Sequence, residues 1–254
     1  MGRFRIPIGR VLGIRISVHA TWFVVLTFVA SGAVIAFGEG FPELPFNERL
    51  AMGLVTGVGF FACLLLHELA HAVVARRFGV EVHRITLFLF GGVAEIEGEV
   101  PTPQGEFAVA LAGPATSLTL GCMLGLAAAW ASGRSLTGAE GVLVALAAGN
   151  AVVALFNLVP GLPLDGGRLL RAGLWRVTGD FTRATRVAAG AGRLLGVLVL
   201  VAGVVLLATG HAVGIWNAAM GVFLWLLAGR SGRAAPPREA LALPDEGQAA
   251  QPGP

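Results

Sequence analysis

The pentapeptide His67-Glu68-Leu69-Ala70-His71 places two imidazoles and a carboxylate inside an apolar stretch. The spacing His-Glu-x-x-His sets the two histidines one helical turn apart on the same face of a helix. Such a pair can bind Zn²⁺, and the neighbouring carboxylate can act as a general base toward a water molecule at the metal. Because a charged, metal-binding cluster is costly in hydrocarbon, we interpret this motif as a functional site.

A catalytic zinc ion usually has three protein ligands and a water molecule, so two imidazoles leave the set one ligand short. Cys63 lies on the same helical stripe as the histidines, but ligands on three successive turns would span about 12 Å. Asp165 follows two prolines that break an apolar span, which could turn its carboxylate into the interior. We therefore predict Asp165 as the third ligand, with a plain helix-terminal turn as the alternative use of this residue.

The elements that would position these residues are membrane helices. Of the 254 residues, 56% are hydrophobic and only 13% are charged, whereas soluble domains average about a quarter charged. This composition predicts an all-α polytopic membrane protein in a lipid bilayer. Apolar runs predict six spans, at roughly 17–37, 52–75, 106–131, 140–160, 194–209 and 212–228.

All 18 basic residues are arginines, and they lie between the apolar runs. With both termini in the cytoplasm, 16 of the 18 arginines fall on the cytoplasmic side, so the positive-inside rule favours this orientation. This pattern predicts membrane anchoring and no nucleic-acid partner. His67 then lies about 14 Å below the cytoplasmic interface. An Ala- and Gly-rich chain with only arginine as its basic residue suggests a bacterial inner membrane.

The segment between the second and third spans predicts a membrane-associated β-hairpin. Residues 85–90 are β-branched and aromatic, Gly91 and Gly92 indicate a turn, and residues 93–100 alternate apolar with acidic. The hairpin could offer a sheet edge to an extended peptide, with Gly91 and Gly92 at the substrate, or it could be a loop without a ligand.

Two further segments are expected on the cytoplasmic side. Residues 166–193 carry six arginines among apolar residues, which predicts an amphipathic helix at the membrane surface. Residues 231–254 are rich in proline and are predicted to be a disordered cytoplasmic tail, which leaves 1–230 as the membrane domain. Ser117 and Thr119, within the third span, are expected to satisfy backbone carbonyls. Oligomeric state is not indicated by any of these patterns.

Several motifs stand in one order along the chain: ISVHATW at 16–22, HELAH at 67–71, LFGG at 89–92, AGP at 112–114 and NLVPGLPLDGGRLLRA at 157–172. Together they resemble the site-2 protease family of intramembrane metalloproteases, and the resemblance runs from about residue 10 to residue 230.

The resemblance implies an intramembrane zinc endopeptidase that cuts transmembrane protein substrates, in regulated intramembrane proteolysis. It also implies one zinc ion per chain, bound by His67, His71 and Asp165, with Glu68 as the catalytic base. Asn157 would help to hold the substrate or the oxyanion. Two alternatives remain open: a transmembrane metal-ion transporter, because histidine and aspartate in spans also mark ion pathways, and an inert scaffold that binds client helices.

Overall fold

The computed structural model describes residues 5–88, 91–97, 99–132 and 138–233. Its elements follow one another as β1 (Arg5–Val11), β2 (Ile14–His19), α1 (Trp22–Gly40), α2 (Phe46–Arg77), β3 (Glu81–Phe88), β4 (Gly91–Glu97), α3 (Pro103–Ser132), α4 (Ala139–Asn157), α5 (Asp165–Thr178), α6 (Phe181–Ala208) and α7 (Val213–Arg233).

Six of these helices are long and apolar enough to cross a membrane: α1, α2, α3, α4, α6 and α7. The predicted number of spans and the mostly helical fold class are therefore confirmed within the described residues. Large apolar side chains such as Ile35, Leu126 and Leu198 are exposed on these helices, as expected of surfaces that face lipid.

The first span was predicted to begin at residue 17, and this start is wrong. Residues Ile14–His19 form strand β2, and α1 begins only at Trp22. Ile14, Ile16 and Val18 alternate with Arg15 and Ser17, which is the period of a strand and sends the three apolar side chains to one face. The strongly apolar run of α1 that follows the strand concealed that alternation.

The expectation for residues 166–193 also needs correction. Two helices cover this range, because α5 ends at Thr178 and α6 begins at Phe181, thirteen residues before the predicted span. Gly179 has a φ of +68°, which ends α5, and the Asp180 side chain accepts a hydrogen bond from the Arg183 backbone N–H. The Gly-Asp pair is therefore a stop signal followed by an N-cap. With 28 residues, α6 is longer than the predicted span of 194–209.

The chain divides into two compact units. The first contains Met1–Val159 with Leu164–Leu169, and the second contains Pro160–Pro163 with Leu170–Pro254. In the second unit α6 and α7 pack as a helical hairpin, and Leu162 packs against Ala188 and Ala189 of α6. Helix α7 continues to Arg233, so the predicted tail can begin only after that residue, and residues 234–254 lie outside those described.

The first unit contains a four-stranded sheet in the order β1-β2-β3-β4. Strands β1 and β2 are antiparallel, β2 and β3 are parallel, and β3 and β4 are antiparallel. The predicted hairpin is present as β3 and β4, and it forms half of this larger sheet. Gly91 and Gly92 begin β4, paired with Phe88 and Leu87, so the predicted turn at these glycines is wrong.

One face of the sheet packs against the part of α2 that carries the His-Glu-x-x-His motif. Ile16 of β2 and Ile85 of β3 are buried in one cluster with Leu69, Ala72 and Ala75 of α2. Val109 of α3 belongs to the same cluster. The sheet and α3 therefore fix the rotation of α2 about its own axis, and with it the direction in which the two histidines point.

Candidate metal centre

Helix α2 brings the two imidazoles together. His67 and His71 are four residues apart in a continuous helix, and their side chains share one face. Only 2% of His67 and 9% of His71 is exposed, and their Nε2 atoms lie 3.2 Å apart. Histidines so deeply buried require polar partners, because an unpaired polar group is costly in an apolar interior.

Asp165 supplies the third group from the first turn of α5. That turn begins where the Leu164 carbonyl accepts the backbone N–H groups of Gly167 and Arg168 at 3.0 and 3.2 Å. Asp165 is 9% exposed, and its Oδ2 atom lies 3.2 Å from the Nε2 atoms of both histidines. The sequence places this aspartate some ninety residues after the histidines, and the fold brings it to them.

The three atoms form a triangle whose sides are all 3.2 Å, from His67 Nε2 to His71 Nε2 and from each to Asp165 Oδ2. Ligand atoms bound tetrahedrally to zinc at about 2.0–2.1 Å stand about 3.3–3.4 Å from one another. Two imidazole nitrogens and one carboxylate oxygen are also a donor set that zinc accepts. These three residues therefore fit a single Zn²⁺ ion, and they could hold it.

The outer nitrogens of both imidazoles are bound by α3. His71 Nδ1 donates to the Val109 carbonyl oxygen at 2.6 Å, and His67 Nδ1 lies 2.9 Å from Ser117 Oγ. Because a carbonyl can only accept, Nδ1 of His71 carries a proton, and in the neutral imidazole the lone pair is then on Nε2. Partners of this kind fix ring orientation and tautomer in metal sites.

Gly113 lies between these two partners on the same stripe of α3, since residues 109, 113 and 117 are each four apart. A β-carbon at Gly113 would overlap Nε2 of His71 and of His67. Pro114 follows inside the helix and removes one hydrogen bond of the helical ladder. The close approach of α3 to the imidazoles therefore depends on glycine at this position.

Sequence reasoning did not identify Val109, Gly113 or Ser117 as part of this centre. Ser117 was expected to bond a backbone carbonyl; instead it contacts His67, while Thr119 does donate to the Ala115 carbonyl as expected. The Gly-x-x-x-Ser spacing around a buried proline could have pointed to a helix face close to a polar group. A backbone carbonyl such as that of Val109 leaves no signal in the sequence.

Glu68 stands beside the ligands and contacts the sheet. The backbone N–H of Gly92 donates to the Glu68 carboxylate. A β-carbon at Gly92 would overlap the Glu68 side chain, with Oε1 at 2.8 Å. Gly92, predicted as part of a turn, therefore permits the close approach of β4 to Glu68.

Asn157, predicted to hold substrate or oxyanion, is the last residue of α4 and is half-buried. Its Nδ2 atom donates to the Val153 carbonyl oxygen of its own helix at 3.0 Å. Among the contacts of the described residues, none joins Asn157 to the three ligands. One amide hydrogen remains available, because an NH₂ group has two.

Several proteins that are similar to this chain are named as zinc metalloproteases. The profile of Peptidase family M50 matches residues 55–137 and 131–202. Rip3 of Mycobacterium tuberculosis, which is named as a zinc metalloprotease, is 44% identical over 231 residues that cover 89% of this chain and 58% of Rip3. Zinc metalloprotease MJ0392 of Methanocaldococcus jannaschii is 31% identical over 79% of this chain and 54% of its own.

A solved structure described as a site-2 protease from Methanocaldococcus jannaschii matches with a TM-score of 0.63 at 27% identity, covering 92% of this chain and 98% of that one. The chain spans somewhat under two thirds of the length of the curated relatives it matches. The six apolar helices and the similarity to these relatives show that the chain is an integral membrane protein. From the profile match over more than half of its length, the chain belongs to Peptidase family M50, the family to which its motifs pointed.

Proposed function

We propose that this protein is an intramembrane zinc endopeptidase, which hydrolyses peptide bonds within or near transmembrane segments of membrane-protein substrates. The observation that carries this proposal is the triangle of His67, His71 and Asp165, with the carboxylate of Glu68 on the adjacent residue of α2. The two histidines of the triangle are buried on α2, a helix that is apolar enough to cross the bilayer.

In this proposal His67, His71 and Asp165 hold one Zn²⁺ ion. When bound, the ion would act as a Lewis acid that activates water and polarises a carbonyl. Glu68 takes a proton from the attacking water and gives it to the leaving amine nitrogen. The N–H of Gly92 holds the Glu68 carboxylate in place for both transfers. The remaining amide hydrogen of Asn157 is a candidate donor to the oxyanion.

A substrate in a membrane helix must first unwind, because its backbone groups are already paired. Strand β4 pairs with β3 on one side, and no other described strand pairs with it. Since the Gly92 N–H is used by Glu68, the outer edge of β4 borders the catalytic carboxylate. A released substrate strand could add to this edge with its scissile bond near Glu68. This arrangement supports Gly91 and Gly92 as substrate-binding residues.

The test combines metal analysis with cleavage of a panel of single-span membrane proteins by the wild type and by Glu68→Gln. We expect about one zinc per chain in both proteins, cleavage by the wild type only, and loss of cleavage when a chelator removes the metal. Zinc in both proteins without cleavage of any client would contradict the protease and favour the transporter or the scaffold. Zinc transport into vesicles that survives Glu68→Gln would support the transporter directly.

A further inference from the structure

An ion pair between a half-buried arginine and a buried glutamate lies next to the proposed metal centre and takes no part in the mechanism described above. Arg168 Nε donates to Glu106 Oε1 at 3.1 Å. Glu106 is 3% exposed and lies in the first turn of α3, while Arg168 lies in the first turn of α5. Burial of a carboxylate to this degree is costly and requires a compensating partner.

Each member of the pair is one helical turn from a contact of the metal centre. Arg168 follows Asp165 by three residues on α5, and Glu106 precedes Val109 by three residues on α3. Three residues correspond to about 4.5 Å along a helix axis. The pair therefore ties the turn that presents the Asp165 carboxylate to the turn whose carbonyl orients His71.

The opposite side of the α5 turn is fixed by backbone. A β-carbon at Gly166 would overlap the carbonyl oxygens of Leu158 and Val159, which follow α4. This contact stops α5 from moving toward α4, but it does not fix the distance between α5 and α3. The Arg168–Glu106 pair joins α5 to α3 directly, whereas the contacts of Asp165 with the two histidines join α5 to α2.

We infer that Glu106 and Arg168 are positioning residues, which hold Asp165 at the distance from the two imidazoles that zinc requires. The inference rests on the proposed function, since it concerns the same metal. It assigns the pair a role in metal affinity beyond the general stability of the fold. Removal of one partner should loosen the α5 turn and weaken the carboxylate ligand while both histidines stay in place.

The experiment measures the zinc dissociation constant by chelator competition in the purified, full-length chain. Arg168→Gln and Glu106→Gln should each weaken zinc binding about 10–100-fold, as loss of an outer partner does in metal sites. Arg168→Lys keeps the charge but loses the Nε donor, so it should weaken zinc binding only several-fold. Arg176→Gln is the matched control, because Arg176 is exposed in the last turn of the same helix.

Two further readouts separate positioning from folding. Co²⁺ in place of zinc should give an altered visible spectrum in Arg168→Gln and the wild-type spectrum in Arg176→Gln. Thermal unfolding of the metal-free proteins reports general stability. If Glu106→Gln and Arg168→Gln fail to fold, Arg168→Lys is compared with Arg176→Gln instead. We then expect a zinc dissociation constant raised several-fold and a shifted Co²⁺ spectrum for Arg168→Lys only.

Dissociation constants in all folded variants within about twofold of the control would overturn the inference, even if thermal stability falls. That result would leave the proposed function intact, because the wild type would still bind zinc. A wild type that binds no zinc would instead overturn both. The two failures are therefore distinguishable in one set of measurements.

Discussion

Gly113 of α3 lies against His71 of α2 so closely that a β-carbon on the glycine would overlap the imidazole Nε2 atom. The same β-carbon would overlap Nε2 of His67. These are the atoms that approach Asp165, so the glycine leaves room for the groups that would hold the metal. A helix that passes a metal centre at this distance can carry no side chain at the point of approach.

Gly113→Ala should therefore abolish the metal site. The added methyl group must displace one or both imidazoles, and we expect zinc affinity to fall about 100-fold or more. Gly125→Ala is the matched control on the same helix, because a β-carbon there would meet only Ala147 Cβ at an ordinary 3.9 Å. Equal zinc dissociation constants for the two purified variants, measured by chelator competition, would show that the α2–α3 approach is wrong as described.

The hydroxyl of Ser117 should contribute to metal affinity through His67. Ser117→Ala removes the group that lies 2.9 Å from His67 Nδ1 and leaves a buried ring nitrogen without that partner. We expect zinc binding to weaken about 10–100-fold, measured by chelator competition. Thr119→Ala tests the specificity of the effect, because the Thr119 hydroxyl is exposed and donates to its own helix. A similar loss in both variants would argue against a role for Ser117 in orienting His67.

Because Gly92 approaches Glu68, a substitution at Gly92 can test catalysis separately from metal binding. In Gly92→Ala the new β-carbon would meet Glu68 Oε1 and displace the carboxylate, whereas His67, His71 and Asp165 are untouched. A misplacement of about 1 Å can lower turnover about 100-fold, so cleavage should fall by that order while zinc content stays at the wild-type level. Gly9→Ala in β1 is the control, since a β-carbon there meets nothing within 4 Å. Cleavage by Gly92→Ala at the wild-type rate would contradict the proposed position of the Glu68 carboxylate.

The chemistry-bearing residues were predictable because their identity and spacing are written in the sequence. Helical periodicity places His67 and His71 on one face, and the need for a third ligand near a broken span points to Asp165. Gly113 lies in the AGP motif, but its contacts and those of Ser117 depend on how α3 crosses α2, which periodicity alone does not determine. The Glu106–Arg168 pair joins residues 62 apart, and no local pattern predicts which arginine finds which carboxylate.

The spans were predictable in number, while several of their boundaries were not. Hydropathy averages over a window of about 20 residues, so the predicted first span included the end of strand β2, and the predicted fifth span lacked the first 13 residues of α6. In both places the correct boundary is marked by local chemistry: alternation from Ile14 to Val18, and a positive-φ glycine followed by a capping aspartate at Gly179-Asp180. The sheet order was beyond reach, because the parallel β2–β3 pair joins segments separated by two membrane helices.

The orientation of the chain remains a prediction that labelling can test. Because 16 of 18 arginines fall on one side of the spans predicted from the sequence, we expect both termini in the cytoplasm and the segment between α1 and α2 outside it. Single cysteines would be placed at Asn47, in the first turn of α2, and at Glu81, at the start of β3, with both native cysteines replaced by alanine.

Both chosen positions are exposed, so only the membrane should decide their reaction with an impermeant maleimide. In intact bacterial cells Asn47→Cys should be labelled, and Glu81→Cys should react only after the membrane is opened. The cysteine-free protein gives the background. The opposite pattern would place the sheet and Glu68 near the outer face, and clients would then have to present their cleavage sites there, against the arginine distribution.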